Sequence, residues 1–272
     1  MITGHSEQIA ALVNPDSSRV SLLSGPSGIG KRIVADHVAL TLAHGLDILT
    51  VDTLTVDEAR TARKFLNTSP IGGHWRILVA DADTATSEAS QALLKVLEEP
   101  PPFARVLLVA SRPVLPTIRS RCTLLRFNAL TQSDVAEVLS RMGIGSSELD
   151  VLTTMASGSP GAALALRPLI AERGRVLQLL WAISTRNWPQ LGHMLRGTGE
   201  EGRWTDSSVQ ALSWWLSEAM TGHWRLFSSE ESYGLHRSIP YTRLQEAAHG
   251  LLTSGRPSLA CASAAIALMA PR

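Results

Sequence analysis

The first 130 residues alternate between short apolar segments and segments in which apolar residues recur at helical spacing. The apolar segments lie at residues 20–24, 47–51, 76–80, 105–110 and 122–127. They are largely continuous rather than alternating, which is typical of strands buried on both faces of a parallel sheet. Because strands that alternate with helices build βαβ units, we predict an α/β fold with a mainly parallel sheet for this region.

Beyond Phe127 the strand pattern ends and only helical spacings are found. A helix start with a capping residue is predicted near Leu130. Six of the seven tryptophans lie beyond residue 180, which indicates a C-terminal domain with its own packing. We therefore predict three parts, namely an α/β core over 1–130, a helical domain over 131–172 and an all-helical domain over 173–272.

The composition excludes several classes of protein. The chain has 25 Lys and Arg against 24 Asp and Glu, which argues against a protein that coats DNA by itself, since such affinity comes mainly from neutralised phosphates. No apolar run approaches the roughly 18 residues of a transmembrane helix, and residues 1–7 do not resemble a signal peptide. Two cysteines, Cys122 and Cys261, cannot form a disulfide framework. We expect a cytoplasmic protein with reduced thiols and no membrane partner.

A glycine-rich segment between the first predicted strand and the following helix fits the phosphate-loop pattern G-x-x-x-x-G-K. In that pattern the glycines let several backbone N–H groups face one anion, while the next helix and a lysine add positive charge. Since a strand precedes the segment and a helix follows it, we predict a nucleotide phosphate site rather than a chance glycine-rich turn. Its residues are Gly25, Pro26, Ser27, Gly28, Ile29, Gly30, Lys31 and Arg32.

Arg32 departs from this pattern, which has a serine or threonine at the same position to bind Mg²⁺. A guanidinium group has N–H donors and no acceptor, so it cannot ligate a cation and repels one. We therefore expect that phosphate binding is retained and that Mg²⁺ is not placed productively.

The end of the third predicted strand is a second departure. ATPases with a phosphate loop hold the metal and polarise water with acidic residues at the end of a neighbouring strand. Here the strand continues into Ala80, Asp81, Ala82 and Asp83. In one register Ala80 replaces the metal-binding aspartate, and in the other Asp81 is that aspartate and Ala82 takes the catalytic position. Neither register supplies a complete acidic pair, and capping of the next helix is an equal interpretation for Asp81 and Asp83.

Several motifs together resemble bacterial clamp-loader subunits, the delta-prime and gamma/tau subunits of DNA polymerase III, which are AAA+ proteins. The motifs are QALLKVLEEPP (Gln91 to Pro101), LLVASRP (Leu107 to Pro113) and LPTIRSRC (Leu115 to Cys122), with shorter matches near Ile2, Thr68 and Gly158. The resemblance covers about residues 1–170 in the right order. It implies a RecA-like AAA+ core followed by a helical lid and an all-helical collar, in the three parts predicted above.

Members of that family form a ring-like pentamer that opens a sliding clamp and closes it around primer–template DNA. Each ATP lies between two subunits, and the neighbouring subunit supplies an arginine finger from a Ser-Arg-Cys motif. The resemblance implies that Arg121 is this finger, whose charge stabilises the transferring phosphoryl group. The alternative is a surface arginine paired with a local carboxylate. The implied partners are ATPase motor subunits, a delta-like wrench subunit, the sliding clamp and primer–template DNA.

Three departures from active family members all indicate a loss of ATP turnover. Arg32 replaces the metal-binding hydroxyl, the acidic pair at Ala80 and Asp81 is incomplete, and Gly161 stands where active members carry a nucleotide-sensing arginine. With the finger kept, this resembles the delta-prime subunit, a stator that does not turn over ATP. We expect a chain that holds ATP or ADP without efficient hydrolysis. Two alternatives stay open, namely an active gamma/tau-type motor that uses Lys31 and Asp81, and an AAA+ adaptor that acts outside clamp loading.

A fourth departure concerns metal binding. Family members normally carry a four-cysteine zinc module between the first helix and the second strand, but residues 40–48 of this chain contain no cysteine. We expect no zinc and no other metal, with His44 near a helix end. Cys122 is expected to be a buried small residue rather than a nucleophile, since no base is evident beside it. A chain that is compact for the family and lacks the zinc module is consistent with a divergent bacterial or a phage protein.

Overall fold

The computed structural model describes residues 2–184, 187, 189, 190, 194 and 209–215. The chain divides into two compact units, Met1–Ala163 and Leu164–Arg272. In chain order the elements are α1 (Ser6–Val13), β1 (Val20–Ser24), α2 (Lys31–Leu42), β2 (Ile48–Val51), α3 (Val56–Leu66), β3 (Arg76–Asp81), α4 (Ser87–Glu98), β4 (Ala104–Ala110), α5 (Pro116–Arg119), β5 (Thr123–Arg126), α6 (Gln132–Arg141), α7 (Ser146–Met155), α8 (Pro160–Ala171) and α9 (Arg173–Ser184). Short 3₁₀ turns, Gly45–Asp47 and Ala82–Thr84, precede β2 and follow β3.

The five strands form one parallel sheet in the order β2-β3-β4-β1-β5. Strand β1 lies between β4 and β5, with Leu22 opposite Leu108 on one side and Leu124 on the other. The predicted α/β fold with a mainly parallel sheet is therefore confirmed. In this order β1 ends beside the ends of β4 and β5, so the loop after β1 begins at a central position of the sheet.

Each face of the sheet is covered by helices, which explains the continuous apolar runs. On one face Leu22, Leu78 and Leu108 pack with buried residues of α3 and α4. On the other face Leu23 and Val79 pack with buried residues of α1 and α2. Neighbouring residues such as Leu22 and Leu23 therefore enter different cores, and neither can be polar without burying an unpaired group.

Asp47, which was predicted to begin the second strand, instead ends a 3₁₀ turn with its side chain fully buried. Its carboxylate accepts hydrogen bonds from the amides of Ile71 and Gly72, both at 2.8 Å, and from Arg76 Nη1 at 2.7 Å. The amides of Ile71 and Gly72 keep the pKa of Asp47 below its ordinary value against the opposing effect of burial, and Arg76 adds to the lowering. This carboxylate ties the loop before β3 to the sheet edge.

The first helix, α1, is the one element near the N-terminus for which no pattern was recognised. It is connected to the sheet through Arg105, a buried residue at the start of β4. Arg105 donates to the carbonyl oxygens of Leu12 at 2.8 Å, Asn14 at 3.0 Å and Pro15 at 3.1 Å, and its guanidinium lies 4.2 Å from the ring centroid of Trp75. These bonds use the carbonyl groups that a helix end leaves unpaired.

Among the residues described after β5, helices and turns are found and strands are not, as predicted. Thr131 and Asp134 form a capping box at the start of α6, which agrees with the predicted helix start. In the second unit Trp215 is buried, and its Nε1 donates to the carbonyl of Leu169 at 2.9 Å. The division into a core, a lid at 131–172 and a collar at 173–272 stays a prediction, because most of the proposed collar, with Cys261, lies outside the described residues.

Within the described ranges no helix is long and apolar enough to cross a membrane.

Candidate functional site

The carboxyl ends of three neighbouring strands bring the predicted site residues together. The loop Gly25–Lys31 follows β1, Asp81 ends β3, and Ser111 follows β4. In open parallel sheets this edge is where ligands bind, because the loops diverge there and helices begin with their positive ends toward it. The sheet order therefore assembles the predicted phosphate loop and acidic residue in one place.

The glycine-rich loop has the geometry of an anion-binding turn. Gly28 and Gly30 have φ angles of 74° and 99°, which favour glycine. The carbonyl oxygens of the loop accept hydrogen bonds from the protein. Lys31 Nζ donates to the carbonyls of Gly25 and Pro26. The carbonyls of Ser27, Gly28 and Ile29 accept from Ser159 Oγ, Gly161 N and His5 Nε2, respectively. By contrast, the amides of Ser27, Gly28, Ile29 and Gly30 donate to no other described residue. The carbonyl groups are therefore already paired within the protein, while the amide N–H groups remain available to donate to the oxygens of a phosphate.

Lys31 is buried and held against the loop. Its Nζ donates to Gly25 O at 2.8 Å and to Ser111 Oγ at 3.1 Å. Burial lowers the pKa of Lys31, while the nearby carboxylates of Asp83 and then Asp81 oppose that shift. The lysine therefore connects the phosphate loop with the residue that follows β4.

Arg32 is paired with two carboxylates. Its Nε lies 3.2 Å from Asp36 Oδ1 on the next turn of α2, and its Nη2 lies 2.6 Å from Asp52 Oδ1 just after β2. The position that follows the loop lysine therefore carries a paired guanidinium, and neither a hydroxyl nor a carboxylate. This geometry is consistent with the expectation that Arg32 does not ligate a metal.

The acidic segment after β3 has a structural role in addition to any catalytic one. Ala80 and Ala82 are buried methyl groups, so both registers of the acidic pair place an alanine where a carboxylate is needed. Asp81 accepts from the amide of Asp83 at 2.8 Å and so caps the 3₁₀ turn, whereas Thr86 caps α4. Asp83 accepts from the amides of Ser111 and Arg112, at 2.7 and 2.9 Å. Asp83 thus holds the segment that follows β4.

The N-terminal end of α8 lies directly on the phosphate loop. Ser159 Oγ donates to Ser27 O at 2.8 Å, and the amide of Gly161 donates to Gly28 O at 2.9 Å. A Cβ atom at position 161 would lie 2.7 Å from Gly28 Cα, and a Cβ atom at position 28 would lie 2.5 Å from Ser159 Oγ. Because the atom met at position 161 belongs to the backbone, a side chain there requires the two segments to separate, so an arginine at position 161 does not fit this packing.

Arg121 lies away from the loop, in the turn between α5 and β5. Its Nε donates to Glu98 Oε1 at 2.6 Å, its Nη2 pairs with the same oxygen, and its Nη1 donates to Thr117 O at 2.8 Å. The side chain retains 28% of its accessible surface. The local carboxylate of the alternative interpretation is therefore present, and the guanidinium also remains partly exposed.

Three residues that shape this site were given no role in it from the sequence. His5 and Ser159 hold carbonyl groups of the loop, and Ser111 contacts Lys31. Asp83, interpreted as a cap of the next helix, instead fixes the segment that carries Ser111. Ser111 could have been found, because it is a polar residue at the carboxyl end of the strand beside β1. His5 and Ser159 carry no local signal, since their partners lie 24 and 132 residues away.

Cys122 is a half-buried thiol whose pKa is raised by burial to about 11. Because the thiolate is the reactive form, we expect alkylation by iodoacetamide at pH 8 to be about tenfold or more slower than for an exposed cysteine of ordinary pKa. The measurement uses a Cys261→Ser variant, in which Cys122 is the only thiol. Unfolding in guanidinium should raise the rate to that of a free cysteine, and equal rates before and after unfolding would contradict the assignment.

No cluster of three or more His, Cys, Asp or Glu residues that could hold a metal occurs in the described part of the chain. His44 Nδ1 accepts from the amide of Leu46 at 3.4 Å and caps the 3₁₀ turn before β2.

Comparisons with known proteins find that this chain is similar to subunits of DNA polymerase III and replication factor C. Residues 44–131 match the family model described as "DNA polymerase III, delta subunit". A replication factor C small subunit from Methanococcus maripaludis is 30% identical over 197 residues, which cover 67% of this chain and 61% of that protein. DNA polymerase III subunit delta' from Escherichia coli is 38% identical over 119 residues, or 42% of this chain and 36% of that protein. The chain thus spans about three fifths of the first relative's length.

A solved structure shows the same fold. The DNA polymerase III gamma subunit-related protein from Thermotoga maritima superposes with a TM-score of 0.50 at 18% identity, and the match covers 96% of this chain and 98% of that chain. At this level of identity the likeness concerns the architecture alone.

Proposed function

We propose that this chain, which is a delta-prime-like member of the clamp-loader family, acts as the stator of a DNA sliding-clamp loader. In this role it donates Arg121 to the nucleotide of a neighbouring motor subunit and does not turn over ATP itself. Its partners are ATPase motor subunits, a delta-like wrench subunit, the sliding clamp and, through the assembled ring, primer–template DNA.

The packing of α8 on the phosphate loop is the observation that carries the stator proposal. An active motor needs a nucleotide-sensing arginine at the start of this helix, and here Gly161 contacts Gly28 backbone to backbone. Because any side chain at position 161 would push the helix away from the loop, this close packing requires a glycine there. In this role the N-terminal end of α8 stays on the phosphate loop whether or not nucleotide is bound.

Two further features support a site without turnover. Arg32 is paired with Asp36 and Asp52, so the first turn of α2 presents a guanidinium in place of a metal-binding hydroxyl. Ala80 and Ala82 leave Asp81 as the single carboxylate of the acidic pair. With the amides of the loop still available, ATP or ADP can be held, while the sequence lacks the hydroxyl that would ligate the metal and one carboxylate of the acidic pair.

The first experiment measures ATP binding and Mg²⁺-dependent hydrolysis by the purified chain alone. We expect no turnover, whether or not nucleotide binds. Turnover that is lost on replacing Lys31 would instead identify a gamma/tau-type motor that uses Lys31 and Asp81. Failure to co-purify with motor subunits and a clamp would favour the adaptor alternative.

Replacing Lys31 by alanine in the complete loader is expected to change the DNA-stimulated ATPase rate by less than about twofold. The reason is that a stator's phosphate loop does not take part in the chemistry, in contrast to the large effect of groups that stabilise the transition state. Steady-state ATPase assays with primed DNA and clamp measure this effect. A collapse of the rate comparable with that of an Arg121 variant would count against the stator.

A further inference from the structure

The guanidinium of Arg121 is held from two sides by its own subunit. Glu98 Oε1 accepts from Nε at 2.6 Å and pairs with Nη2, while Thr117 O accepts from Nη1 at 2.8 Å. Ser120 Oγ lies 3.2 Å from Nη1. A planar group with partners on two edges has few orientations left, unlike an arginine side chain free in solvent. The direction in which Arg121 extends is therefore set before any neighbour is present.

The position of Glu98 is not explained by helix stability. Glu98 is the last residue of α4, where the helix carries partial negative charge, so a carboxylate there is unfavourable. Its side chain is 47% exposed and that of Arg121 is 28% exposed, and ion pairs at such sites contribute little to folding. The pair thus has a small effect on stability but a strong effect on the orientation of one side chain.

We infer that Glu98 is a positioning residue that orients Arg121 for the nucleotide of the neighbouring subunit. The inference rests on the proposed finger role of Arg121. A guanidinium that is already oriented stabilises developing phosphoryl charge without reorganising at the moment of reaction. Misplacing a catalytic group by about 1 Å can cost about 100-fold in rate, so the loss of its fixed partner has a measurable effect on turnover.

The experiment compares three variants of this chain in the complete loader with motor subunits, clamp and primed DNA. Glu98→Ala removes the partner, Glu98→Gln keeps an oxygen acceptor for Nε, and Glu99→Gln is the matched control. Glu99 is the next residue in the chain, is exposed, and forms no ion pair with other described residues. The values of kcat and KM for ATP are measured for each loader.

For Glu98→Ala we expect kcat to fall by about tenfold or more, with KM for ATP within about twofold of the parent value. Glu98→Gln should retain clearly more activity than Glu98→Ala, and Glu99→Gln should match the parent. In an Arg121→Ala background, Glu98→Ala should cause no additional loss, because its effect acts through the arginine. A purely structural role for Glu98 would predict a lower melting temperature and weaker assembly without this dependence on Arg121.

Two results separate this inference from the function it rests on. If Arg121→Ala lowers turnover but Glu98→Ala leaves kcat unchanged or raises it, Glu98 does not position the finger, although the finger itself stands. If Arg121→Ala leaves turnover normal, the finger assignment fails, and with it the role of Glu98. Should Glu98→Ala fold poorly, as judged by thermal melting, the kcat of Glu98→Gln is compared with that of Glu99→Gln. A lower kcat for Glu98→Gln supports the positioning role, and equal values contradict it.

Discussion

Replacing Arg121 by alanine is expected to lower the DNA-stimulated ATPase rate of the complete loader by about three orders of magnitude, the usual effect of an arginine finger. The guanidinium would stabilise negative charge that develops on the transferring phosphoryl group of the neighbouring subunit. Arg121 suits this role because it is partly exposed and, among the described residues, is bound to groups of its own turn and to Glu98. The effect should fall on kcat rather than on KM for ATP.

The control for this prediction is Arg119→Ala, which removes an exposed arginine two residues away on the same segment. This variant should keep near-parent turnover, and both variants should assemble normally by size-exclusion chromatography. Near-normal turnover in the Arg121→Ala loader would refute the finger, and the arginine would then be a surface residue paired with Glu98.

Replacing Asp47 by alanine is expected to lower the melting temperature of the chain by roughly 10 °C, because breaking a buried ion pair leaves its partner charge uncompensated. Asp47 is fully buried and accepts from Ile71 N, Gly72 N and Arg76 Nη1. Its loss leaves the Arg76 guanidinium with one remaining hydrogen bond among the described residues, to Phe65 O at 3.1 Å, and with its stacking on the Phe65 ring at 4.0 Å. Two amides also lose their acceptor. Thermal unfolding followed by circular dichroism measures the shift.

The same carboxylate makes stability depend on pH. The pKa of Asp47 is lower in the folded chain than its ordinary value of about 3.9, so the folded state binds fewer protons than the unfolded state. The stability that Asp47 contributes is therefore present above about pH 4 and is lost as the pH falls below that value. An Asp47→Asn variant should show a weaker decline in melting temperature between about pH 5 and 2.

Asp57→Ala is the matched control, since Asp57 is 91% exposed and paired with Arg60 on the surface of α3. It should shift the melting temperature by no more than a degree or two, as expected for an exposed pair. Equal melting temperatures for the Asp47→Ala variant and the parent would show that the loop before β3 is held by other contacts.

Much of the core and half of the site could be predicted from local patterns. Strands such as β1 and β4 are short apolar runs bounded by polar residues, and helices such as α3 and α4 have regular apolar spacing. The phosphate loop was recognisable because glycine spacing and a lysine before a helix form one contiguous motif. Arg32 and Gly161 were recognisable as departures because each occupies a fixed place within such a motif.

The pairing of distant residues could not be predicted in this way. Asp47 resembled the first residue of a strand, and only its partners 24 to 29 residues away reveal a buried carboxylate that holds a loop. Arg105 gave no indication that it would bind the end of α1, which lies 93 residues earlier. Both assignments depend on which segments the sheet brings to the same edge.

The amino-acid sequence by itself determined the α/β class of the core, the phosphate loop and the residues that depart from an active ATPase. These are properties of short segments, because a strand buried on two faces or a glycine with a positive φ angle leaves a recognisable pattern within a few residues. Only the tertiary structure decided that Ser159 and Gly161 would close on the loop, that Ser111 would meet Lys31, and that Glu98 would hold Arg121. Those contacts follow from strand order and helix packing, and the apolar periodicity of a segment contains no information about which other segment it will meet.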